Sequence, residues 1–380
     1  MERIMRDLSD IRGELDVIDK SITELFEKRL GLVSQVAEYK IANGKPVFDK
    51  KREEEKLASL SGLVESDFSK KGIQELFEQI MAISRKRQYQ LLTEKGHGEE
   101  TDFSVEDAID FTHARVVYQG VEGAYSQMAM NAFFGEDADS FHVETWRDAM
   151  EAIKDGTADF AVLPIENSSA GIVSENYDLL VEYDNYIVGE QTIKVDHALL
   201  GLPGADISDI TCVYSHPQAL MQCVDFLDEH RDWERISLKN TAMSAKKVVE
   251  DGRKDQAAIA NPLTAEIYGL DVLASSINYS SENSTRFIIV SGKKMCRRDA
   301  GKISICFEIP HESGSLYHML SHIIYNNLNM NKIESRPIKD KSFEYRFFVD
   351  FEGNLADSAV QNALKGLSEE ASKLRILGNY

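Results

Sequence analysis

Long apolar runs are missing from this 380-residue chain, and no stretch approaches the ~20 consecutive apolar residues that span a bilayer. A membrane-spanning protein is therefore not expected, and Met1 to Asp10 hold no signal-peptide core, so the expectation is a cytoplasmic protein. Cysteine is scarce. Cys212, Cys223, Cys296 and Cys306 lack close metal-ligand spacing and are too few to staple a chain of this size, so buried free thiols are expected. Positive charge is in deficit: 43 Lys and Arg stand against 64 Asp and Glu, a formal charge of -21. Nucleic acid and anionic membrane are poor partners for such a chain, because binding them needs a basic surface that releases counterions. Internal repeats and low-complexity tracts are also absent. Apolar residues are not in short supply, at 43%, and the length suggests two or three domains.

Leu8, Ile11, Leu15, Ile18, Ile22 and Leu25 step by three and four residues, the seam of a long amphipathic helix that Leu32, Val36 and Tyr39 continue. Asn43, Gly44 and Pro46 stop it after roughly 35 residues, about 50 Å at 1.5 Å per residue. A short helix is expected from Asp49 and a third from about Gly72 to Leu92. Between Thr93 and Ala114 the acidic run EKGHGEETDFSVEDAIDFTHA loses periodicity and reads as a linker (94–114).

From Arg115 short β-rich runs alternate with helical ones: VVYQG, FHVE and FAVLPIEN, then ITCVYS, ISLK, AAIAN and TRFIIVSG. The alternation predicts an α/β domain with mostly parallel strands, as two lobes around a cleft (115–294). The last 80 or so residues (300–380) change rhythm to β-α-β-β-α-β, the α+β ferredoxin-like plan. The chain is thus expected to be multidomain, beginning with an all-α three-helix segment (1–93).

Within the helical segment Arg29 falls on the seam where Leu or Ile is expected, a costly place for a guanidinium unless an anion meets it. Lys40, eleven residues on, lies on nearly the same face. Arg12 stands seventeen residues before Arg29, about 25 Å along the axis, too far for one small ligand to touch both on the same helix. Ser84 and Gln88 are four apart, as are Asp49 and Glu53, so each pair points to one side. Spacing alone also suits a solvated helical bundle with surface salt bridges. The combination of Arg12, Arg29, Lys40, then VFDKKRE, then Ser84 and Gln88 resembles the AroQ-type chorismate mutase over about Leu8 to Leu92. The resemblance implies an intertwined dimer in which Arg12 of a second subunit, Arg29, Lys40, Asp49, Arg52, Glu53, Ser84 and Gln88 hold chorismate. Lys40 and Gln88 would serve the breaking ether bond. Such a rearrangement is pericyclic and needs no nucleophile, metal or cofactor. It needs a dianion held in its reactive conformer with donors placed where negative charge grows.

In the α/β region GVEGAYS (Gly120 to Ser126) sets two glycines and a serine at a strand-to-helix junction, where backbone N–H groups can meet an anion. PIENSSAG brings polar groups to the end of a buried strand, where unpaired they would cost about 2–7 kcal/mol by transfer estimates. Glu166 and Asn167 could also merely satisfy a turn. Together with YSHPQAL and NSTRF, these motifs resemble prephenate dehydratase across about Arg115 to Gly292, whose two lobes are periplasmic-binding-like. The resemblance implies Thr285 as proton donor and Ser126, Asn167, Ser168, His216, Gln218 and Arg286 as its surroundings and carboxylate ligands. Further on, ESRPI resembles the ACT regulatory domain, with GSLY where that family commonly has GALV. It implies an effector site for L-phenylalanine from Gly314, Ser315, Leu316, Glu334, Ser335 and Arg336 between paired subunits.

The expectation for the whole chain is a bifunctional enzyme turning chorismate into prephenate and prephenate into phenylpyruvate, a homodimer or larger, under phenylalanine feedback. Two other readings stand beside it: an amino-acid sensor built on the same lobes, and a dehydratase whose helices only dimerise.

Overall fold

The seam of the first helix runs as its spacing predicts. Asp7 caps it by accepting from the Ser9 N–H at 2.8 Å, and the helix spans Leu8–Ala42 before the turn at Asn43. In this computed structural model, which describes residues 6–97, 101–339 and 341–380, only Val33 and Ala37 of that helix are buried. Asp49 caps the second helix, Lys50–Ser61, and Ser66 caps the third, Asp67–Glu94. The third helix begins five residues before Gly72. Its first turn, DFSKKG, carries no apolar stripe for periodicity to detect, while the Ser66 hydroxyl accepts the Ser69 N–H at 3.0 Å.

The chain packs as two units, one reaching to Thr101 and including Ile305–Arg375, the other comprising Asp102–Ser304 and Ile376–Tyr380. The C-terminal module, of which Ile305–Arg375 belong to the first unit, follows the expected order: strand Lys302–Glu308, helix Ser315–Tyr325, strands Met330–Pro337 and Tyr345–Glu352, helix Ser358–Glu370, strand Lys373–Asn379. Its two helices pack together where Gly366 meets His322, a contact that any Cβ at Gly366 would block. Its last helix packs on the third N-terminal helix, with Lys86 Nζ lying 3.3 Å over the Tyr325 ring from the neighbouring helix.

The two larger sheets of the second unit are both mixed rather than mostly parallel. Strand Ser284–Ser291 runs antiparallel to both Phe160–Asn167 and Tyr186–Lys194. In the other sheet Gln256–Ala260 is antiparallel to Ala198–Gly201 and parallel to Cys212–Ser215. Phe160–Asn167 and Tyr186–Lys194 are linked through the helix Ser174–Glu182 and run in the same direction, with Ser284–Ser291 inserted between them in the opposite one, and Ala198–Gly201 follows Tyr186–Lys194 with no helix between them. Between Cys212–Ser215 and Glu234–Ser237 the chain forms two short helices, Pro217–Gln222 and Val224–Glu229, meeting at Cys223. The stretch expected as a linker is also more ordered than its composition suggests. Ser104–Glu106 pairs in parallel with Met295–Arg297, and Phe103 and Ile109 are buried. A three-residue strand with two isolated apolar anchors is too short to show a period. All four cysteines are buried free thiols. No helix among the described residues is long and apolar enough to cross a membrane.

Candidate active sites

In the second unit the antiparallel register sets Thr285 directly opposite Asn167 and Arg286 opposite Glu166. Side chains alternate faces along a strand, so the first pair shares one face and the second pair the other. On the first face Asn167 Nδ2 donates to Thr285 Oγ1 at 2.9 Å and to Asn283 Oδ1 at 2.9 Å. Asn167 Oδ1 accepts the N–H groups of Ser169 (3.0 Å) and Ala170 (2.7 Å), which fixes the amide's orientation. Because the Thr285 oxygen accepts from Asn167, its own hydrogen is free to donate elsewhere. Asn167 and Thr285 line a cavity of about 580 Å³ together with Ser126, His216 and Gln218. Burial pulls His216 below the usual imidazole value, and its Nδ1 accepts the Gln218 N–H at 3.1 Å.

Two predicted residues stand elsewhere. Arg286 lies on the opposite face, 3.3 Å from Glu166 and 3.2 Å from Glu190, and is not part of the cavity wall. Ser168 is exposed and occupied between strands: its hydroxyl donates to the Glu282 carbonyl at 3.2 Å and accepts the Ser284 N–H at 3.0 Å. The expectation that these two hold substrate carboxylates is corrected by that alternation of faces. Among the described residues no lysine or arginine lines the cavity. Positive potential comes instead from helix starts. Tyr125, Trp146, Ser174 and Thr241 all line it, and each is the first residue of a helix. The helix at Tyr125 has no side-chain cap, so its first N–H groups stay available to an anion. The preceding loop needs glycine at Gly123, with φ +84°, and its carbonyl is held by Asn261 Nδ2 at 2.7 Å and Thr264 Oγ1 at 3.0 Å. Tyr125, Trp146, His197 and Gln222 were not singled out in sequence. His197 follows a strand with no motif around it, and only the fold brings it to within 3.2 Å of the Tyr125 hydroxyl and 2.9 Å of Gln222.

In the first unit Arg29 donates to the Ser84 hydroxyl, and Lys40 Nζ donates to the Val47 carbonyl at 2.5 Å. Gln88 Nε2 donates to the Ser84 carbonyl at 3.2 Å, while its buried Oε1 has no hydrogen-bond partner. Burial lowers Lys40 from its usual value, against the pull of Asp49, Glu369 and Glu53. Burial likewise lowers Arg29, against Glu53. Arg29, Lys40, Glu53, Ser84 and Gln88 thus form one neighbourhood, bordered by Asp49, whose carboxylate caps the second helix through the Arg52 N–H at 3.1 Å. The Arg52 side chain points outward, 3.9 Å from Glu55. Arg12 is exposed on the far part of the first helix. Sequence reasoning passed over Arg85, whose Nη1 donates to Glu53 at 2.5 Å. It stands one turn from Met81 and one turn from Tyr89, both buried on the same helix, and that spacing of four was the available signal.

The C-terminal module carries a smaller cavity of about 270 Å³ whose wall includes Gly314, Ser315 and Leu316 with Tyr317, Tyr345 and Phe347. Gly314 has φ +83° and starts the helix without a side-chain cap. Glu334, Ser335 and Arg336 lie on the strand paired with Tyr345–Glu352, Ser335 opposite Phe347, and none of the three lines this cavity within one chain.

Family models for chorismate mutase type II and for prephenate dehydratase match residues 11–89 and 116–295. The bifunctional chorismate mutase/prephenate dehydratase of Buchnera aphidicola is 31% identical over 98% of this chain and 96% of its own length. The chain belongs to the bifunctional chorismate mutase/prephenate dehydratase family. Its second part is also similar to arogenate dehydratase/prephenate dehydratase 1 of Arabidopsis thaliana, 40% identical over 71% of this chain and 73% of that one. Among solved structures, prephenate dehydratase from Arthrobacter aurescens in complex with L-Phe is 31% identical, with a TM-score of 0.64 over 70% of this chain and 89% of that chain. The enzyme therefore combines an isomerase and a lyase, consuming in the second reaction the product of the first.

Proposed function

We propose that prephenate is converted in the 580 Å³ cavity with Thr285 as proton donor, and that the Asn167–Thr285 pair carries this reading. Loss of CO2 pushes electrons into the ring as the ring hydroxyl departs. Hydroxide leaves poorly unless it is protonated as it goes. Thr285 Oγ1 accepts from Asn167, which stabilises negative charge on that oxygen as its proton is given up. Ser126, His216 and Gln218 complete the surroundings, and helix N-termini receive the carboxylates in place of cations.

The mutase reaction is assigned to Arg29, Lys40, Asp49, Glu53, Ser84 and Gln88, with Arg52 at the rim and Arg12 supplied by a second copy of the chain. A dimer is supported by the first helix itself: Leu15, Ile18, Ile22 and Leu25 are 51%, 53%, 54% and 66% exposed. Covering each fully is worth about 1.5–3 kcal/mol. Residues 1–93, 115–294 and 300–380 are the three functional segments in this reading, in a cytoplasmic homodimer or larger assembly. Feeding chorismate to the purified chain and following its loss together with the appearance of phenylpyruvate tests the pair of activities. Absence of phenylpyruvate while prephenate builds up would remove the second.

The third segment is assigned as an ACT domain that binds phenylalanine. The apolar recess of Leu316, Tyr345 and Phe347 suits the ring, and the uncapped helix start at Ser315 suits the carboxylate. Glu334, Ser335 and Arg336 would come from a paired subunit. Gly314→Ala places a Cβ on a left-handed residue at a cost of about 1–2 kcal/mol. It is expected to raise the half-inhibitory phenylalanine concentration about tenfold, read from dehydratase rates across an inhibitor series. Unchanged inhibition would take Gly314 out of the effector site.

A further inference from the structure

The last helix of the C-terminal module ends on two carboxylates, Glu369 and Glu370. Negative charge at a helix C-terminus opposes the helix dipole. Glu370 is also almost fully buried, its side chain 9% exposed, and an unpaired charge there would be strongly destabilising. Compensating partners come from the helical segment as well as from the module itself, where Lys365 Nζ lies 4.0 Å from Glu369. Glu370 Oε1 accepts from Arg85 Nε at 2.9 Å. Glu369 Oε2 accepts the Tyr89 hydroxyl at 2.9 Å and the Phe48 N–H at 3.0 Å. Within the module, His322 Nε2 lies 3.0 Å from Glu370 Oε1. Burial alone would raise the Glu370 carboxyl, but His322 and Arg85 outweigh it and hold it below the ordinary value.

Arg85 extends this contact. Its planar guanidinium spans Glu370 through Nε and Glu53 through Nη1, two carboxylates that a lysine could not hold in one geometry. Glu53 in turn faces Arg29 and Lys40, whose charges feel it. Phe48 lies between Val47, which accepts from Lys40, and Asp49, the cap of the second helix.

We propose that Glu369 and Glu370 are positioning residues of the mutase site. Glu370 fixes Arg85 and thereby the Glu53 carboxylate, and Glu369 fixes the turn that holds the Lys40 ammonium. Neither touches substrate. The first reaction thus depends on residues of the module that ends the chain, and a cavity of about 270 Å³ has Glu53 and Arg85 on one wall and Ser315 and Glu370 on the other. The proposal rests on the placement of Glu53 in the mutase site.

The test uses the full chain carrying Glu370→Gln, Glu370→Asp or Arg85→Lys, with Glu53→Gln as reference. Chorismate consumption is measured at steady state, and the helical circular dichroism signal and thermal unfolding of the same preparation report its folded fraction. Glu370→Gln and Arg85→Lys are expected to lower mutase kcat/KM about tenfold, mainly through a higher KM for chorismate. Glu370→Asp, which keeps the charge, should recover part of the loss. A purely structural role would lower the folded fraction and leave KM in place. Should Glu370→Gln fail to fold, Arg85→Lys gives the same reading, because its single ammonium cannot serve both carboxylates. Wild-type kcat/KM in the folded variants with Glu53→Gln impaired overturns the positioning role. Wild-type kcat/KM in Glu53→Gln overturns the site assignment on which it rests.

Discussion

Replacing Thr285 with alanine is expected to stop phenylpyruvate formation while chorismate is still consumed and prephenate accumulates. General acid catalysis contributes about 10²–10⁴-fold, and Thr285 is the cavity hydroxyl that Asn167 holds across the strand pair. The substitution removes only a hydroxyl and a methyl group. Phe287 and the buried run after it keep the strand in its sheet, so the fold should survive. The mutase residues lie in the other packed unit and should be untouched. Asn167→Ala makes a graded companion. It leaves the threonine in place but takes away the donor that stabilises its oxygen and the acceptor for two backbone N–H groups, so a smaller rate loss with some loss of stability is expected. Time courses that follow chorismate, prephenate and phenylpyruvate together decide the matter. A folded Thr285→Ala enzyme with normal phenylpyruvate production removes Thr285 from the chemistry. Loss of both activities in a folded protein would show that the two reactions are not separable.

Much of this was legible in the chain because it depends on local patterns. The first helix ends where its caps and breakers stand, at Asp7 and Asn43, and every element of the C-terminal module falls where its alternation of period places it. The pairing of Thr285 with Asn167 was also within reach, since both sit at the polar end of otherwise apolar strands. Arg286 was misplaced for a definable reason: a β-bulge lies between it and Phe287, and which neighbour faces the cleft depends on register against a strand more than a hundred residues away. The same limit hid Glu369 and Glu370. On their own helix they look like ordinary solvated charges. Only the packing of that helix on Asp67–Glu94 turns them into partners of Arg85, Tyr89 and Phe48. The strands at 186–194 and 198–201 are not legible in the sequence, because no turn signal of the expected kind separates them from the rhythm of helices and strands around them.

Mixing two dead enzymes should restore mutase activity. Arg12→Ala and Lys40→Ala chains are each expected to be nearly inactive toward chorismate, since each removes a charge-assisted contact to a dianion. Arg12 and Lys40 cannot meet on one ligand within a chain, because 28 residues of continuous helix separate them, about 42 Å along the axis. In the proposed dimer, a two-fold partner packed along the exposed seam of Leu15, Ile18, Ile22 and Leu25 would bring its own Arg12 toward the Arg29 and Lys40 end. In a mixed dimer one site then takes its arginine from the Lys40→Ala chain and its lysine from the Arg12→Ala chain, and is intact. The other site carries both defects. Random exchange of equal amounts makes half the dimers mixed, so about a quarter of wild-type activity should return, following the mixing ratio with its maximum at equal proportions. Dissociating and reassociating the two chains, separating the mixed dimer by a tag on one of them and assaying it alone removes any ambiguity about exchange. If that purified mixed dimer is as inactive as its parents, Arg12 does not act across subunits, and the exposed seam of the first helix serves association alone.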